Sequence, residues 1–412
     1  PTNEVVISTP NAVTYEFVTS GTASKLMDEG PLSAEENRDA IVHNDDGTCT
    51  VSGFTGNTGY GDSYEYEGAI TDFSPLREDV TVQVNGVAMT PFELLGVDPD
   101  DTETDSGTDV ALGGEDGYAA TVSPAEATTT VASRSGLAGA LDAASSGDVI
   151  YVDGDATIDM GATQNTIPAG VTLASDRGID GSDGALLETD DRPWGMFTAH
   201  EGARITGLRV GGPRWDWIGN VSGEMGIDVV GGNVEIDNCE VYGWGYAAIR
   251  TEDDTHVHHC EIHHNPKDGT GYGVSTGSST NPIIEYNVFH HNRHSVASSS
   301  NGYTARYNYV GKGAISHVFD QHTPGGSTIK IHHNTVAVVD HSTKDKNAPA
   351  VAIRGTPSDV ADIHHNWFYN PKEPRSNPSG WTDEAIIQVH VDEWENVDYH
   401  NNHYGSDDPG TD

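Results

Sequence analysis

The chain has 412 residues, with 64 Asp and Glu against 20 Lys and Arg, and a formal net charge of −44 at pH 7. This charge argues against a protein that follows the phosphates of a nucleic acid, because such binding depends on Lys and Arg. It argues equally against docking on an anionic membrane. The sequence also contains no run of about 18 apolar residues, the length that membrane insertion requires.

The first 97 residues are predicted to form short strands separated by turns. Apolar and polar residues alternate over 4–8, 13–18, 62–67 and 80–84. This alternation indicates antiparallel strands that bury one face. The Asn85-Gly86 pair that follows is a hairpin signal. We therefore predict that residues 1–97 form a small antiparallel β-sandwich, an accessory domain.

Residues 98–129 are predicted to be an acidic linker. The segment is rich in Asp, Glu and Gly at its start and has no apolar period. Beyond it, 136–145 is a helical run and 147–153 is a strand. A repeat then begins, so we place the start of a second domain, 130–412, at this point.

The repeat is the pattern apolar-x-x-(Asn/Cys)-x-apolar, which occurs seven times at spacings of 21 to 36 residues. A minimum near 21 residues is typical of one coil of a solenoid, with loops inserted in the longer repeats. Asn suits such a corner, since it tolerates tight bends and can hydrogen-bond its copy one coil away. The fourth positions are Cys239, Cys260, Asn287, Asn308, Asn334, Asn366 and Asn402.

A second strand recurs between these corners. It is predicted at 227–229, 248–250, 273–275, 295–297, 317–319, 351–353 and 386–388. Together, the corners and strands resemble the pectate-lyase-like right-handed parallel β-helix superfamily over 130–405. The resemblance implies an all-β fold, a right-handed parallel β-helix after the sandwich, with the helical run as its N-terminal cap. Because this fold carries lyases, hydrolases and adhesins, it does not define a reaction.

The corner motifs also contain columns of histidine. One column is Asp237, His258, Glu285, Arg306, His332, His364 and His400. Zinc ligands must converge on a point, whereas a solenoid column extends along a line. We therefore interpret most of these histidines as stacked structural residues. Cys239 and Cys260, on consecutive coils, are expected to be free buried thiols rather than a disulfide.

Three segments depart from the regular ladder: 292–297, 317–322 and 351–357. Val296 and Val318 are 22 residues apart, about one coil, so the segments are expected on adjacent coils of one face. This run also resembles secreted β-helix proteins related to polysaccharide lyases. The predicted catalytic patch consists of Arg293, His294, His317, Asp320, His322 and Arg354. The alternative is that these arginines pair with acidic neighbours and only close the solenoid wall.

The patch suits an acidic sugar. A β-eliminating lyase neutralises a uronate carboxylate, removes the C5 proton and protonates the leaving oxygen; Arg and His are suited to these tasks. Calcium, which many pectate lyases use, is a possible cofactor through Asp216, Glu224 and Asp228. The residues predicted to bind substrate are Arg250, Trp215, Asp216, Trp217, Tyr303 and Arg306.

The leading hypothesis is therefore a secreted lyase acting on uronate-containing polysaccharide. A hydrolase is less favoured, because no pair of carboxylates stands out in the strand column. The other alternative is a non-catalytic glycan-binding β-helix, such as a cell-surface adhesin or a virus tail protein. The corner column from Asp237 to His400 is rich in histidine and charged residues and is expected to point outward. This favours a monomer over a trimer.

The surface composition resembles that of secreted proteins from halophilic archaea. Carboxylates are abundant and the chain has only 7 Lys against 13 Arg. Such a surface stays hydrated when concentrated salt screens its charges. The start at Pro1, without Met, fits a processed and exported product. We expect an extracellular or cell-surface location.

Overall fold

The computed structural model describes residues 2–9, 13–27, 30–34, 39–44, 47–55, 60–74, 80–95, 111–213, 224–277, 281–299, 301–311, 316–337, 348–370, 372–378 and 384–405. The chain forms two compact units, Pro1–Thr108 and Asp109–Asp412. In the described residues, no helix is long and apolar enough to cross a membrane.

The first unit contains two antiparallel sheets. Its strands are β1 (Thr2–Ser8), β2 (Val13–Thr19), β3 (Ala23–Leu26), β4 (Ala40–His43), β5 (Cys49–Thr55), β6 (Gly61–Glu67), β7 (Ile70–Ser74), β8 (Thr81–Val84) and β9 (Val87–Met89). One sheet has the order β3-β6-β1-β8-β9 and the other β4-β5-β2-β7. A 3-10 turn, Gly30–Leu32, and a short helix, α1 (Pro91–Leu95), complete the described part of this unit.

The two sheets share one hydrophobic core, as a sandwich requires. Ile7 of the first sheet and Phe17 of the second are both fully buried in it. The hairpin between β8 and β9 turns at Asn85 and Gly86, whose φ angles are 50° and 84°. Positive φ at both turn residues is the conformation that Asn-Gly favours. The predicted sandwich and hairpin are confirmed.

The second unit is a parallel solenoid whose coils each contribute to three sheets. It begins with a 3-10 turn (Pro124–Glu126), β10 (Thr129–Val131) and the cap helix α2 (Arg134–Ala143). The first sheet continues through β11 (Val149–Val152), β14 (Thr172–Ala174), β17 (Arg204–Thr206), β20 (Glu235–Asp237), β23 (His256–His258), β26 (Ile283–Glu285), β29 (Tyr303–Arg306), β32 (Ile329–His332), β35 (Ala361–His364) and β39 (Val397–His400).

The other two sheets run beside it. The second sheet is β12 (Thr157–Asp159), β15 (Leu186–Glu188), β18 (Arg209–Gly211), β21 (Glu240–Tyr242), β24 (Glu261–His263), β27 (Val288–His290), β30 (Tyr309–Val310), β33 (Thr335–Val336), β36 (Trp367–Phe368) and β40 (His403–Tyr404). The third sheet is β13 (Asn165–Ile167), β16 (Gly195–Ala199), β19 (Met225–Val229), β22 (Ala247–Arg250), β25 (Tyr272–Ser275), β28 (His294–Ser298), β31 (Phe319–Gln321), β34 (Val351–Arg354), β38 (Ile386–Val389) and β37 (Arg375–Ser376).

Neighbouring coils repeat the same apolar position in each sheet, which builds a continuous core. In the third sheet, for example, Ile249, Val274, Val296 and Phe319 are in register and fully buried. A single coil could not bury its apolar side chains; stacked coils can. The predicted parallel β-helix and its recurring second strand are confirmed, and these strands form the third sheet. The strand predicted at 317–319 is shifted by two residues, since β31 is Phe319–Gln321.

An asparagine ladder joins the coils at the corner between the first and second sheets. Asn308 Nδ2 donates to Asn334 Oδ1 at 2.9 Å, and Asn334 Nδ2 donates to Asn366 Oδ1 at the same distance. Cys239 and Cys260 occupy the equivalent corner on earlier coils and are free, buried thiols. Both expectations about this corner therefore hold.

The tight bend itself lies one residue before each asparagine. The left-handed φ angles belong to His333 (53°) and His365 (52°), and to His259 (50°) where a cysteine follows. The ladder residue contributes hydrogen bonds, and the preceding residue makes the turn. Sequence analysis had assigned both tasks to the asparagine.

Part of the predicted linker contacts the second unit. Gly113 O accepts a hydrogen bond from Arg177 Nη1 at 3.0 Å, and the Glu115 amide donates to Asn238 Oδ1 at 2.8 Å. Tyr118 Oη donates to Asp237 Oδ2 at 2.8 Å. Residues 111–118, which we call the strap, thus lie along the outside of the corner. The unit boundary falls between Thr108 and Asp109, inside the predicted linker.

Candidate functional site

Four adjacent strands of the third sheet bring the predicted catalytic residues together. Tyr272 of β25 is in register with His294 of β28, and Ala297 of β28 is in register with Asp320 of β31. Arg354 ends β34, the next strand. We call His294, His317, Asp320, His322 and Arg354 the His–Asp cluster.

Asp320 is the centre of the cluster and is fully buried. Arg354 donates to both of its oxygens, from Nε to Oδ1 at 2.8 Å and from Nη2 to Oδ2. His322 Nε2 lies 3.1 Å from Oδ2 and bonds it. A carboxylate removed from water needs such partners, because an unpaired buried charge is very costly.

His294 and His317 form the buried side of the cluster. Their rings stack at 4.7 Å between centroids, and His294 Nδ1 lies 2.5 Å from the backbone oxygen of His317. His294 Nε2 is 3.3 Å from Asp320 Oδ2, and His317 Nε2 is 3.6 Å from the same atom. Arg354 Nη2 is 3.0 Å from His317 Nε2. Three imidazoles and one guanidinium therefore converge on one carboxylate oxygen.

Burial and charge fix the protonation of these groups. Burial lowers the pKa of His317 to about 4, although the Asp320 charge opposes the shift. Burial also lowers the pKa of His294 well below its usual value. For Asp320, burial alone would raise the pKa, but the nearby His294, His322, His317 and Arg354 hold it far below normal. At neutral pH the buried imidazoles are neutral and the carboxylate is ionised.

The accessible side of this patch is formed by other residues. The His322 side chain is 29% exposed and that of Arg354 is 25% exposed, whereas His294 is fully buried. Tyr272 stacks on His294 at 5.6 Å between centroids. The Arg293 guanidinium lies 6.0 Å from the centre of the Tyr272 ring. A ligand would therefore meet Arg293, Tyr272, His322 and Arg354, which we call the outer face.

Three residues of interest were missed in the sequence. Tyr272 precedes the predicted strand 273–275 by one residue, and Ser299 Oγ lies 3.2 Å from His322 Nδ1. Trp194 is 66% exposed and immediately precedes β16 of the same sheet. An aromatic residue at a strand end gave a signal for Tyr272, since it falls in the column of His294. Nothing in the sequence distinguished Trp194 from a core tryptophan.

Three of the four predicted site arginines are paired with carboxylates. Arg250 Nε donates to Asp228 Oδ1 at 2.5 Å, and Arg306 Nε donates to Glu285 Oε2 at 2.6 Å. Arg354 is held by Asp320, as described. Among these four, only Arg293 forms no ion pair with a carboxylate in the described part of the chain; it donates to Thr270 O at 3.4 Å.

Two residues predicted to bind substrate lie elsewhere. Tyr303 is 2% exposed and packs in the hydrophobic core, so it does not reach the outer face. Arg306 belongs to β29 of the first sheet rather than the third. Arg250 is on the third sheet, in β22, two strands before β28. Trp215, Asp216 and Trp217 lie outside the described residues.

The described carboxylates proposed for calcium do not fit that ion. Calcium takes about six to eight oxygen ligands. Asp228 is already bonded to Arg250. Glu224 is buried and faces Arg192, whose Nε is 3.6 Å from Glu224 Oε1. Two carboxylates that each face a guanidinium do not supply such a shell.

A comparison with protein-family models agrees with the fold of the second unit. A family model described as a right-handed β-helix region matches residues 216–372. The matched residues are less than half of the chain and lie within the second unit, where the structure shows the three parallel sheets. Among solved structures, it is similar to an alginate lyase from Paenibacillus sp., with 17% sequence identity and a TM-score of 0.49. That similarity covers 68% of this chain and 96% of the lyase. No curated protein matches the sequence.

Proposed function

We propose that the protein is a polysaccharide-active β-helix that cleaves uronate-containing glycan by β-elimination at the outer face. The observation that carries this proposal is Arg293, a cation beside the Tyr272 ring that forms no ion pair with a carboxylate of the described residues. In a chain of net charge −44, an unpaired guanidinium on an accessible face favours an anionic ligand from outside.

The neighbours of Arg293 supply the other groups that elimination needs. With a uronate carboxylate bound to Arg293, the Tyr272 hydroxyl and the His322 imidazole, whose rings are 6.3 Å apart, would exchange protons with the sugar. His322 is fixed at both nitrogens, by Asp320 at 3.1 Å and by Ser299 at 3.2 Å. Such fixed geometry reduces the entropy lost in reaching the transition state. Arg354 orients Asp320 and is a second cation near the bound sugar.

An extended glycan has further surface to contact along the third sheet. Tyr246 and Tyr272 pack edge to face, with centroids 5.6 Å apart. Trp194 lies three strands before Tyr272 in this sheet, about 14 Å away at about 4.8 Å per strand. Trp194 is 66% exposed and presents an apolar face on which a sugar ring can stack. We therefore place a distal sugar-binding position at Trp194.

A non-catalytic glycan-binding protein is the second candidate. The observation that favours it is the pairing of Arg250, Arg306 and Arg354 with Asp228, Glu285 and Asp320. Paired arginines stabilise a wall and have little capacity left for a substrate. Under this reading, acidic glycan binds at Arg293 and remains intact.

The decisive experiment is a panel of uronate polysaccharides in concentrated salt, with the unsaturated product followed by its ultraviolet absorbance. Alginate and polygalacturonate are the first substrates to test. For the lyase, Arg293→Ala and His322→Ala should each lower turnover about 100-fold or more. Arg375→Ala, at an exposed arginine of β37, is the matched control and should keep full activity. Retained glycan binding without any product would favour the second candidate.

We also propose that the protein works outside the cell in concentrated salt. The support is the excess of carboxylates and the scarcity of lysine. Far-ultraviolet circular dichroism at increasing salt tests this directly. Structure should be lost as salt is removed, because the carboxylates then repel one another over longer distances. Cooperative melting in dilute buffer would contradict the proposal.

A further inference from the structure

The buried side of the His–Asp cluster contains a nitrogen without a hydrogen bond. His294 Nδ1 faces a backbone carbonyl, which can only accept, so Nδ1 carries the hydrogen. In the neutral ring, Nε2 then carries a lone pair and no hydrogen. Nε2 is fully buried and has no hydrogen-bond partner in the described structure. It points at Asp320 Oδ2, an ionised oxygen 3.3 Å away.

Two lone pairs at this distance repel each other unless something positive lies between them. The cost is high here because both atoms belong to fully buried side chains. His317 Nε2 adds a third acceptor, since it receives the Arg354 guanidinium at 3.0 Å. The cluster therefore presents three electron-pair donors toward one point: two imidazole nitrogens and one carboxylate oxygen.

The spacing of these atoms suits a transition-metal ion. All three lie within 4.8 Å of one another, and the oxygen is 3.3 Å and 3.6 Å from the two nitrogens. Ligands at about 2.0–2.2 Å from a tetrahedral zinc ion are separated by about 3.3–3.6 Å. Imidazole and carboxylate are also ligands that zinc, cobalt and nickel accept.

The surroundings resemble the outer shell of a metal site. A metal-bound imidazole usually donates its second N–H to a carbonyl or carboxylate, which fixes the ring. His294 does this through Nδ1 to His317 O.

We propose that His294 Nε2, His317 Nε2 and Asp320 Oδ2 form a binding site for a divalent transition-metal ion, and that the Arg354 guanidinium is an internal cation that competes for it. Arg354 Nη2 bonds two of the three ligand atoms, so this group must withdraw when the ion binds. Its side chain is 25% exposed and can turn toward solvent. The ion would lie beneath the outer face and hold Asp320, which in turn positions His322.

His263 and His290, which end strands of the second sheet, do not offer an equivalent site. His263 Nε2 bonds Glu240 at 2.9 Å and His290 Nε2 bonds Glu261 at 3.0 Å. Their Nδ1 atoms bond the adjacent histidines, His264 and His291. Both nitrogens of these rings are thus engaged by the protein itself. Their carboxylate partners also differ from one coil to the next, so the nitrogens do not share one acceptor.

The test is direct titration of the intact chain with Co²⁺, in concentrated sodium sulfate to avoid chloride complexes. The visible absorption of tetrahedral Co²⁺ reports the ligands, and Zn²⁺ should displace it with one ion per chain. This measurement needs no glycan and no turnover, so it stands apart from the proposed lyase activity. Absence of the tetrahedral spectrum in the unmodified protein would overturn the proposal.

Two substitutions are expected to act in opposite directions. His294→Gln removes a ligand and should weaken Co²⁺ binding about 100-fold or more, the upper end of the losses seen when groups around a metal are removed. Arg354→Gln removes the competing cation and should tighten binding. His400→Gln, at a partly exposed corner histidine, is the control and should leave affinity unchanged. Equal affinity of His294→Gln and the unmodified protein would overturn the site. Weaker binding in Arg354→Gln would overturn the role of Arg354, and this variant keeps the test valid should His294→Gln misfold.

Discussion

Histidine is abundant both at the corner between the first and second sheets and in the His–Asp cluster, but the two regions arrange it differently. At the corner, His332, His364 and His400 stack in a line at 4.8 Å and 5.0 Å between centroids. In the cluster, His294, His317 and His322 direct nitrogens at one atom of Asp320.

The difference follows from whether histidine recurs at the same position in successive coils. When histidine recurs at the same position of successive coils, parallel strands place the copies one above another. Within each coil, adjacent histidines also bond each other, as in the 2.9 Å contact between His332 Nδ1 and His333 Nδ1. The cluster histidines occupy different positions on adjacent coils, so their side chains cross the strand direction and converge. Histidines at repeated positions thus form a scaffold, whereas histidines at non-repeated positions form the cluster.

The largest expected effect comes from removing the point on which the cluster converges. Asp320→Asn should destabilise the β-helix unit by about 3 kcal/mol, the lower end for breaking a buried ion pair. Denaturant titration followed by tryptophan fluorescence measures this unit alone, since every Trp lies at or beyond Trp194. Asp398→Asn, at an exposed acidic residue of β39, should change stability little. Similar curves for both variants would contradict the central role of Asp320.

The next largest effect should come from the asparagine ladder. Asn334→Ala should destabilise the β-helix unit by about 2 kcal/mol, because buried polar groups on both neighbouring coils lose their partner. The same fluorescence titration applies. Asn281→Gly is the matched control, since Asn281 is exposed and has a φ of 53° that glycine adopts freely. A ladder without energetic importance would give equal midpoints.

Histidines at two corners of the coil, His259 after β23 and His264 after β24, should also make stability depend on pH. Burial, assisted by His258, lowers the pKa of His259 from 6.5 to about 4, and burial lowers the pKa of His264 to about 4 as well. Between these pH values the unfolded chain binds more protons at both positions, so stability must fall as pH falls from 6.5 to 4. Melting temperatures at constant salt would show the slope.

His259→Asn sharpens that test. Asn238 and Asn401 already occupy this column with φ angles of 51° and 52°, so asparagine fits the left-handed bend. The variant should melt with a shallower dependence on pH than the unmodified protein. His200→Asn, at an exposed position, should leave the slope as it was. If the pH dependence of the melting temperature is unchanged in His259→Asn, protonation of other groups causes the loss of stability at low pH.

The smallest effect is expected from a single corner ring. His365→Asn keeps the bend residue type found elsewhere in the column and loses one stacked contact, at 4.9 Å from His333. Stability should change by no more than about 1 kcal/mol, the scale of one aromatic contact. A loss of stability as large as that of Asp320→Asn would contradict the distinction between stacked corner histidines and the converging histidines of the His–Asp cluster.

Most of the fold could be predicted because repetition is visible in sequence. The corner pattern located the asparagine ladder, and a separation of about one coil placed the segments 292–297 and 317–322 on adjacent coils, although Val296 is in register with Phe319 rather than Val318. Strand parity could also have excluded Tyr303 from the site. It is two residues before Ala305, which is buried in the core, and side chains two apart share a face.

The detailed site could not be predicted, because it depends on side chains that cross between coils. Asp228 and Arg250 are in register, so their ion pair was accessible from sequence alignment of the coils. Asp320 is in register with Ala352, yet it bonds Arg354, two residues further along. That choice is made by rotamers and burial, which no spacing encodes. Burial of His294 beneath Tyr272 likewise depends on packing rather than pattern.

The strap has a consequence for the order of folding. Glu115 bonds Asn238, 123 residues later in the chain, and the Gly113 amide bonds the carbonyl of Tyr286. The closure of such long loops is entropically costly, and the surface to which the strap binds exists only after the intervening coils have formed. The strap must therefore join after the coils that carry Asn238 and Tyr286, although it is synthesised before them. In pulsed hydrogen exchange during refolding, the Glu115 amide should gain protection after the amides of β23; earlier protection would contradict this order.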